Sequence, residues 1–434
     1  MIRGGFGIFY QTLGNGGCGC TDGFNGNYTS AGDGINPAFY WDQTRNVPTP
    51  SGYKPPPRID PTFLNYGVVY YQGPNYGKAP RIYNWSFTIQ REFKNWLFET
   101  AYVGNRGHGL NSTVYMNTLP ASALSLGSTL TTRLSSTSYT APFSSFVTGW
   151  GGGGTVAQSL RPFPQYGTMV HVNSGDGQTW YDSLQNKIER RFGNVNVMGS
   201  WVWSKSLGML TLRQIFSQGS NVQTQDAYNL KDAKSFLNMD IPHFVNILVS
   251  YQLPFGKGKR YFSSAGRAMD LVIGGWNVSS TQQYRSGTLI QVVSATNQLA
   301  STTFAPLQKA VATGNAIRSG VSSRDLDPDN PNVRWFNYGS SAPYTNTPAY
   351  TLGTASIYNT NFRNPWFRQE NLSISKTFAI WESVRFTYRA DAFNIFNRTS
   401  FGGTNGTIGN ANFGRVQSAQ NGPRVITMGL RLEF

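Results

Sequence analysis

Over long stretches of this chain, polar and apolar residues alternate at every second position. The closing stretch RVITMGLRLEF places Ile426, Met428, Leu430, Leu432 and Phe434 on one face. Val425, Thr427, Gly429, Arg431 and Glu433 fall on the other. Such a period marks a strand with unlike faces. YNWSFTIQREF repeats the pattern with Tyr83, Trp85, Phe87, Ile89 and Phe93, and WLFETAYVG turns back after Lys94-Asn95, predicting a hairpin with a tight turn. SLQNKIERRF, Gly193-Asn194 and VNVMGSWVWSKS predict a second hairpin. FVNILVSYQLPF, GKGKR and GGWNVSSTQQYRSGTLIQVV predict a third with a longer turn, and NLSISKTF with VRFTYRADAFNIF a fourth about Ile380-Trp381-Glu382. With the opening IRGGFGIFY, whose Ile2, Phe6, Ile8 and Tyr10 share a face, and the closing stretch, ten strands are expected.

The connections fall into two alternating classes. Short turns follow Phe93, Phe192 and Phe378, and a somewhat longer one follows Phe255, whereas residues 12–81, 106–170, 207–242, 295–367 and 397–422 form long connections. Connections of that length are uncommon in compact soluble domains. Short turns at one end and long loops at the other are the plan of an outer-membrane barrel, with lipid on the apolar face and the lumen on the polar one. Phe93, Trp96, Phe192, Phe255, Phe378, Trp381 and Phe434 all flank a short turn or the last residue, as a periplasmic aromatic girdle would. Tyr83, Trp85, Trp201, Trp203, Tyr284 and Tyr388 are the outer counterparts. Arg91 and Lys376 fall on the apolar face close to turns, within reach of water by snorkelling. Asp182 and Asn186 interrupt the strand before Phe192.

Composition supports the strand plan. Charged residues are 13% of the 434, against about a quarter in soluble globular proteins, while aromatics reach 14% and Gly numbers 48. No stretch approaches the roughly 18 apolar residues of a membrane helix. The formal charge of +16 is spread along the chain, and its densest cluster, Lys257-Gly-Lys259-Arg260, lacks interleaved aromatics. That argues against nucleic acid and fits an anionic lipid or lipopolysaccharide surface. Cys18 and Cys20, separated by one glycine, are either a tight disulfide or two free thiols, and are too few for structural zinc. MIRGGFGIFY has no continuous apolar core or cleavage site, so it reads as a strand and not as a signal peptide.

Candidate chemistry is sparse. His108 in NRGHG and His171 in MVHVN have no neighbouring carboxylate in sequence. Asp240 and His243 in MDIPHF form one suggestive pair, for which a strand start fixed by Pro242 and a structural hydrogen bond is the simpler reading. DLDPDNPN spaces Asp325, Asp327 and Asp329 like a calcium loop, but Asn330 and Phe336 stand where Gly and Glu are needed. The glycine run 149–156 lacks the lysine of a phosphate loop and reads as a flexible tip. The aromatic loop INPAFYWDQ (35–43) serves either ligand contact or its own packing. No catalytic, cofactor or metal residue is expected, and the chain is not read as an enzyme.

Several stretches taken in order carry a resemblance. RADAFNIFNRTSFG followed by NFGRVQSAQNGPRVITMGLRLEF resembles the closing strands of Oar-like TonB-dependent receptors. LPFGKGKRY, GGWNVSSTQQYRSG, ERRFGNVNVMGSWVWSKSLG, VRWFN and IRGGFGIFYQ resemble earlier parts of that barrel. The resemblance implies an all-β antiparallel transmembrane barrel of about 22 strands closed around an N-terminal plug. Residues 1–434 would then be one segment, the C-terminal half of the barrel, with plug, signal peptide and TonB-engaging segment absent. It also implies ligand uptake powered through TonB, and a terminal Phe434, Leu432 and Leu430 read by the barrel-assembly machinery. A surface adhesin or a small closed ten-strand barrel, in which the Met1 strand pairs with the Phe434 strand, are the alternatives.

Overall fold

A computed structural model describes residues 1–10, 35, 65–71, 73, 78–150, 154–172, 174–209, 224–292, 294–379 and 384–434. Ten long strands form one sheet in chain order: β1 (Ile2–Tyr10), β2 (Arg81–Phe93), β3 (Trp96–Leu110), β4 (Gly177–Phe192), β5 (Val195–Met209), β6 (His243–Gln252), β7 (Trp276–Arg285), β8 (Phe367–Ala379), β9 (Arg385–Phe393) and β10 (Val425–Glu433). Each is antiparallel to its sequence neighbours, so all five long connections emerge at the same end. A two-residue strand, Ser235–Phe236, extends the edge of β5. Within the described chain β1 pairs only with β2 and β10 only with β9, so the closed ten-strand alternative is not the arrangement found.

Turn chemistry sets the register. Phe93 pairs with Trp96 across Lys94 and Asn95, which take φ of 47° and 66°, the left-handed pair that a type I′ hairpin requires. Phe192 pairs with Val195 across Gly193 at φ 50° and Asn194. The β6–β7 connection differs from expectation, because it contains a helix, Arg267–Ile273. Lys376, expected to snorkel, is instead only 4% exposed. Its Nζ donates to the carbonyls of Leu271 (2.6 Å) and Asp270 (3.4 Å), satisfying acceptors that a helix C-terminus leaves open.

Several strands outrun the predicted alternation. β4 begins at Gly177, β3 continues to Leu110 and β8 begins at Phe367. Beyond the apolar zone the side-chain pattern lapses while backbone pairing continues. The predicted run from Gly274 to Val293 instead breaks after Arg285, and Leu289–Gln291 pairs with Tyr358–Arg363 among the connections.

The packed core lies in those connections. The largest fully buried side chains, Phe146, Phe336, Phe362, Leu130, Leu299, Ile357, Ile408, Gln308 and Val156, all sit outside the ten strands. The connection from 286 to 366 is the hub. Phe336 and Phe362 stack at 4.2 Å and meet Phe413 of the β9–β10 connection. Leu299 and Ala305 pack on Leu119, Leu124 and Leu130 of the β3–β4 connection, and Leu289 and Ile357 pack on Val114 and Ala233. The glycine run expected to be a flexible tip is packed at Gly154, where a Cβ would strike the Phe146 ring. Residues 151–153 of that run and 36–43 of the aromatic loop lie outside the described residues.

Candidate functional site

Directly opposed residues on neighbouring strands share a face, so the register assigns every side chain of the sheet. One face carries Ile2, Phe6 and Ile8, then Tyr83 to Phe93 at odd positions, Trp96 to Arg106 at even ones, and Trp180 to Phe192 at even ones. It continues through Val197 to Lys205, His243 to Tyr251, Trp276 to Tyr284, Arg368 to Phe378, Phe386 to Ala392 and Ile426 to Leu432. This is the apolar face. The other face carries the ion pairs Arg3–Glu99, Lys187–Glu189, Arg191–Glu189, Arg389–Asp391 and Arg431–Glu433.

Charge on the apolar face is confined to its two margins. Arg91, Arg190 and Lys376 lie within three residues of the short-turn ends of their strands. Arg81, Arg106, Asp182, Lys205, Arg368 and Glu370 lie nine to twelve residues from those ends. A transmembrane strand needs about 9–11 residues, so the far margin lies about one crossing from the short-turn ends of the strands. Arg190 stacks on Trp96 and Phe192 at 4.8 Å, at the short-turn margin. Between the margins, Thr100 Oγ1 donates to Asn186 Oδ1 at 3.0 Å. At the far margin Arg106 makes a two-pronged contact with Asp182 (3.0 and 2.9 Å) and lies over the Trp85 ring, while Tyr102 donates to Asp182 at 2.7 Å. The Trp85 indole occupies the space that a Cβ on Gly104 would fill. Asp182 thus interrupts the alternation fully partnered, whereas Asn186 is satisfied at Oδ1 but leaves its buried Nδ2 without a partner.

The aromatic residues picked out from sequence fall as follows. Phe93, Trp96, Phe192 and Phe378 are on the apolar face at the short-turn end, and Phe434 follows β10 in the same series. Phe255 lies three residues beyond β6, packed on Tyr261 and Phe262 within the connection, so it does not flank a strand there. Trp381, Cys18 and Cys20 lie outside the described residues. Tyr83, Trp85, Trp201, Trp203 and Tyr284 sit toward the long-connection end. Tyr388 does not: it is three residues into β9, opposite Lys376 and edge-on to Trp276.

Above the far margin, a buried ion pair ties four strand ends together. Asp240, fully buried, binds the Arg363 guanidinium and accepts the Ser206 N–H at 2.5 Å. Arg363 also donates to the carbonyls of Asp240 (2.5 Å), Gly287 (3.3 Å) and Thr360 (2.7 Å). Burial lowers the Arg363 pKa, and the Asp240 charge opposes the shift. Asp240 therefore serves β5 and Arg363, and not His243. His243 is stacked between the indoles of Trp201 (6.1 Å) and Trp366 (5.9 Å), and its backbone N–H donates to Ser286 Oγ. His243, Ser286, Arg318, Arg363 and Trp366 line a cavity of about 620 Å³. Arg318 lies 3.6 Å over Trp335, and burial lowers its pKa to about 10. Among the other histidines, His108 packs edge-on to Tyr83, and His171 accepts the Gly73 N–H at Nε2, its pKa lowered by burial. Asp327 caps the Asp329 N–H in an Asx turn, and among the described residues no three His, Cys, Asp or Glu side chains gather as metal ligands. Arg363 and Trp366 were missed from sequence, since neither sits in an alternating run or beside its partners.

No helix of the described residues is long and apolar enough to cross a membrane. Comparison with curated proteins finds no match. Among solved structures the chain is similar to the outer membrane transporter YddB from Escherichia coli, at 10% identity over 85% of this chain and 34% of that one, with a TM-score of 0.39. It is also similar to the FrpB iron transporter from Neisseria meningitidis, at 7% identity over 84% and 33%, TM-score 0.34. The ferripyoverdine receptor of Pseudomonas aeruginosa gives 8% identity over 82% and 27%, TM-score 0.32. The chain spans 27% to 34% of the length of these proteins. A family model, outer membrane beta barrel domain, matches residues 1–427, nearly the whole chain. Together with the two-faced sheet, whose far charged margin lies one crossing from its short-turn end, this match assigns the chain to the outer membrane beta barrel domain family and places it in the bacterial outer membrane.

Proposed function

We propose that residues 1–434 form the C-terminal half of the barrel of a TonB-dependent receptor of the Oar-like kind. In this reading a ligand is gathered at the packed rim and enters a lumen closed by a plug encoded outside this segment. The observation that carries the reading is the pair of edges, β1 and β10, that have no further strand partner among the described residues, on a sheet with one apolar face. In lipid each unpaired backbone group costs several kcal/mol, and further strands between β1 and β10 would remove that cost. The order of the motifs from IRGGFGIFYQ to RVITMGLRLEF supplies the subtype, and the ion-paired polar face suits a lumen. Phe93, Trp96, Phe192, Phe378 and Trp381 remain the proposed periplasmic girdle, without Phe255, which packs within its connection, and Phe434, Leu432 and Leu430 the proposed assembly signal.

The test is an immunoblot of outer membranes with an antibody to residues 385–434, after in vivo cross-linking. The proposal predicts a species well above the mass of this 434-residue chain that cross-links to TonB. A species of the mass of this chain, without a TonB adduct, would favour a small barrel or adhesin.

A further inference from the structure

The far margin of the apolar face holds a second cavity, of about 450 Å³, lined by Arg324, Arg368, Arg398, Ser400, Phe401 and Trp366 among others. Its place follows from the register. Trp201 opposes Val245, Val245 opposes Tyr284, and Tyr284 opposes Arg368, one row on the lipid side of four strands. Trp366 lies two residues before Arg368, is 41% exposed, and ends the Trp201–His243–Trp366 stack. One wall of the cavity, Trp366 and Arg368, therefore lies on the lipid side, one crossing length from the short-turn end, where the outer leaflet has its headgroups.

Its charges are unevenly satisfied. Arg398 is held by Glu370 at 2.8 Å, and the same carboxylate oxygen accepts Tyr284 OH at 3.1 Å. The guanidinium groups of Arg324 and Arg368 make no hydrogen bond or ion pair among the described residues. Three guanidinium groups thus line one cavity with one carboxylate holding one of them. Below it the apolar face runs through Leu372, Ile374, Ala390 and Ala392. Cations above and an apolar surface beneath match an amphiphile with an anionic head, and planar guanidinium groups suit phosphate best.

We propose that this cavity binds the phosphate of an outer-leaflet lipid headgroup, with Arg324 and Arg368 as its principal contacts and the acyl chains lying along β8 and β9. The site is separate from ligand uptake: it would fix the barrel in the anionic leaflet at its outer rim.

The test uses the protein purified from outer membranes in mild detergent and stripped of lipid, with binding read by native mass spectrometry. The probes are lipid A, enzymatically dephosphorylated lipid A and inorganic phosphate. Lipid A should bind the wild type and lose about tenfold or more in affinity with Arg324→Gln/Arg368→Gln. Arg324→Lys/Arg368→Lys should keep most of the binding, and dephosphorylated lipid A should bind both proteins weakly and alike. Folding is followed by heat-modifiable gel mobility, and if the double Gln variant does not fold, Arg324→Gln, in an exposed connection, carries the test alone. Unchanged lipid A affinity in the folded Gln variant would overturn the proposal, as would equal binding of dephosphorylated lipid. Displacement of lipid A by equimolar inorganic phosphate would assign the site to a free anion and overturn the lipid source.

Discussion

Leu430 in β10 leaves 69% of its surface open, as does Met428, and Phe6 in β1 leaves 68%. Phe336, Phe362 and Phe146, in the long connections, leave none. One chain thus uses the same kinds of side chain in opposite ways, and the boundary between the two regimes runs along the far margin of the sheet. Soluble monomers rarely expose contiguous apolar patches beyond a few hundred Å². In the sheet the solvent for those side chains is lipid, and the stabilising groups are backbone ladders and aromatic margins. In the rim the surroundings are aqueous, and stability comes from burial and from polar pairs such as Asp240–Arg363 and Lys309–Asp232. A fold built this way needs a different test in each half.

The largest effects belong to the rim. Phe362→Ala removes a ring packed against Phe336, Tyr344 and Phe413 and should cost about 3–5 kcal/mol locally. Limited proteolysis of intact cells should then cut the 286–366 connection while the heat-modifiable mobility of the barrel persists. Loss of both together would merge the regimes that the comparison separates. Removing one partner of the buried pair, by Asp240→Asn or Arg363→Met, should cost about 3–5 kcal/mol. Replacing both should be milder, and a double-mutant cycle in the same proteolysis assay measures the difference.

The sheet responds to polarity by face. Leu430, expected near mid-crossing, lies in the row of Tyr388 and Lys376 at the short-turn margin. Met428→Arg, opposite Ala390 and deeper on the lipid side, should cost about 2–4 kcal/mol in the folded barrel. Thr427→Arg, on the polar face opposite Asp391, should be far milder. Denaturant unfolding in micelles or vesicles reads both, and equal costs would mean that the faces are misassigned.

The smallest effect is a pH response in the rim. His171 Nε2 accepts the Gly73 N–H, which requires the neutral ring, and burial depresses its pKa against the weaker, opposing charge of Asp176. A base with a folded pKa below its unfolded value contributes stability that is lost as pH falls through the ordinary histidine range. Amide exchange at Gly73 should therefore accelerate below about pH 6 relative to its intrinsic rate, and His171→Gln should flatten that profile.

The strands were legible because lipid imposes a simple rule on them: every second side chain from Ile426 to Leu432, or from Tyr83 to Ile89, is apolar. Turns such as Lys94-Asn95 and Gly193-Asn194 punctuate the pattern. The rim obeys no such rule. Phe336 and Phe413 meet through chain reversals that leave no periodic trace, and Asp240 finds Arg363 across 123 residues of sequence. The helix Arg267–Ile273 spans too few residues to show a clear period, and its partner Lys376 looked like a flaw in a strand because the carbonyls it binds are distant in sequence. Tyr388 was misplaced for a related reason, since composition marks a girdle residue but only the register tells which margin it occupies.

The central claim is that the two faces of the sheet meet different solvents, and nitroxide scanning along β10 tests it most directly. Single cysteine variants at positions 425 to 432, each spin-labelled in native outer membranes, would be read for collision with oxygen and with a water-soluble nickel chelate. Oxygen accessibility should peak at Ile426, Met428, Leu430 and Leu432, and nickel accessibility at Val425, Thr427, Gly429 and Arg431. A flat profile, or one with the two sets exchanged, would contradict the account.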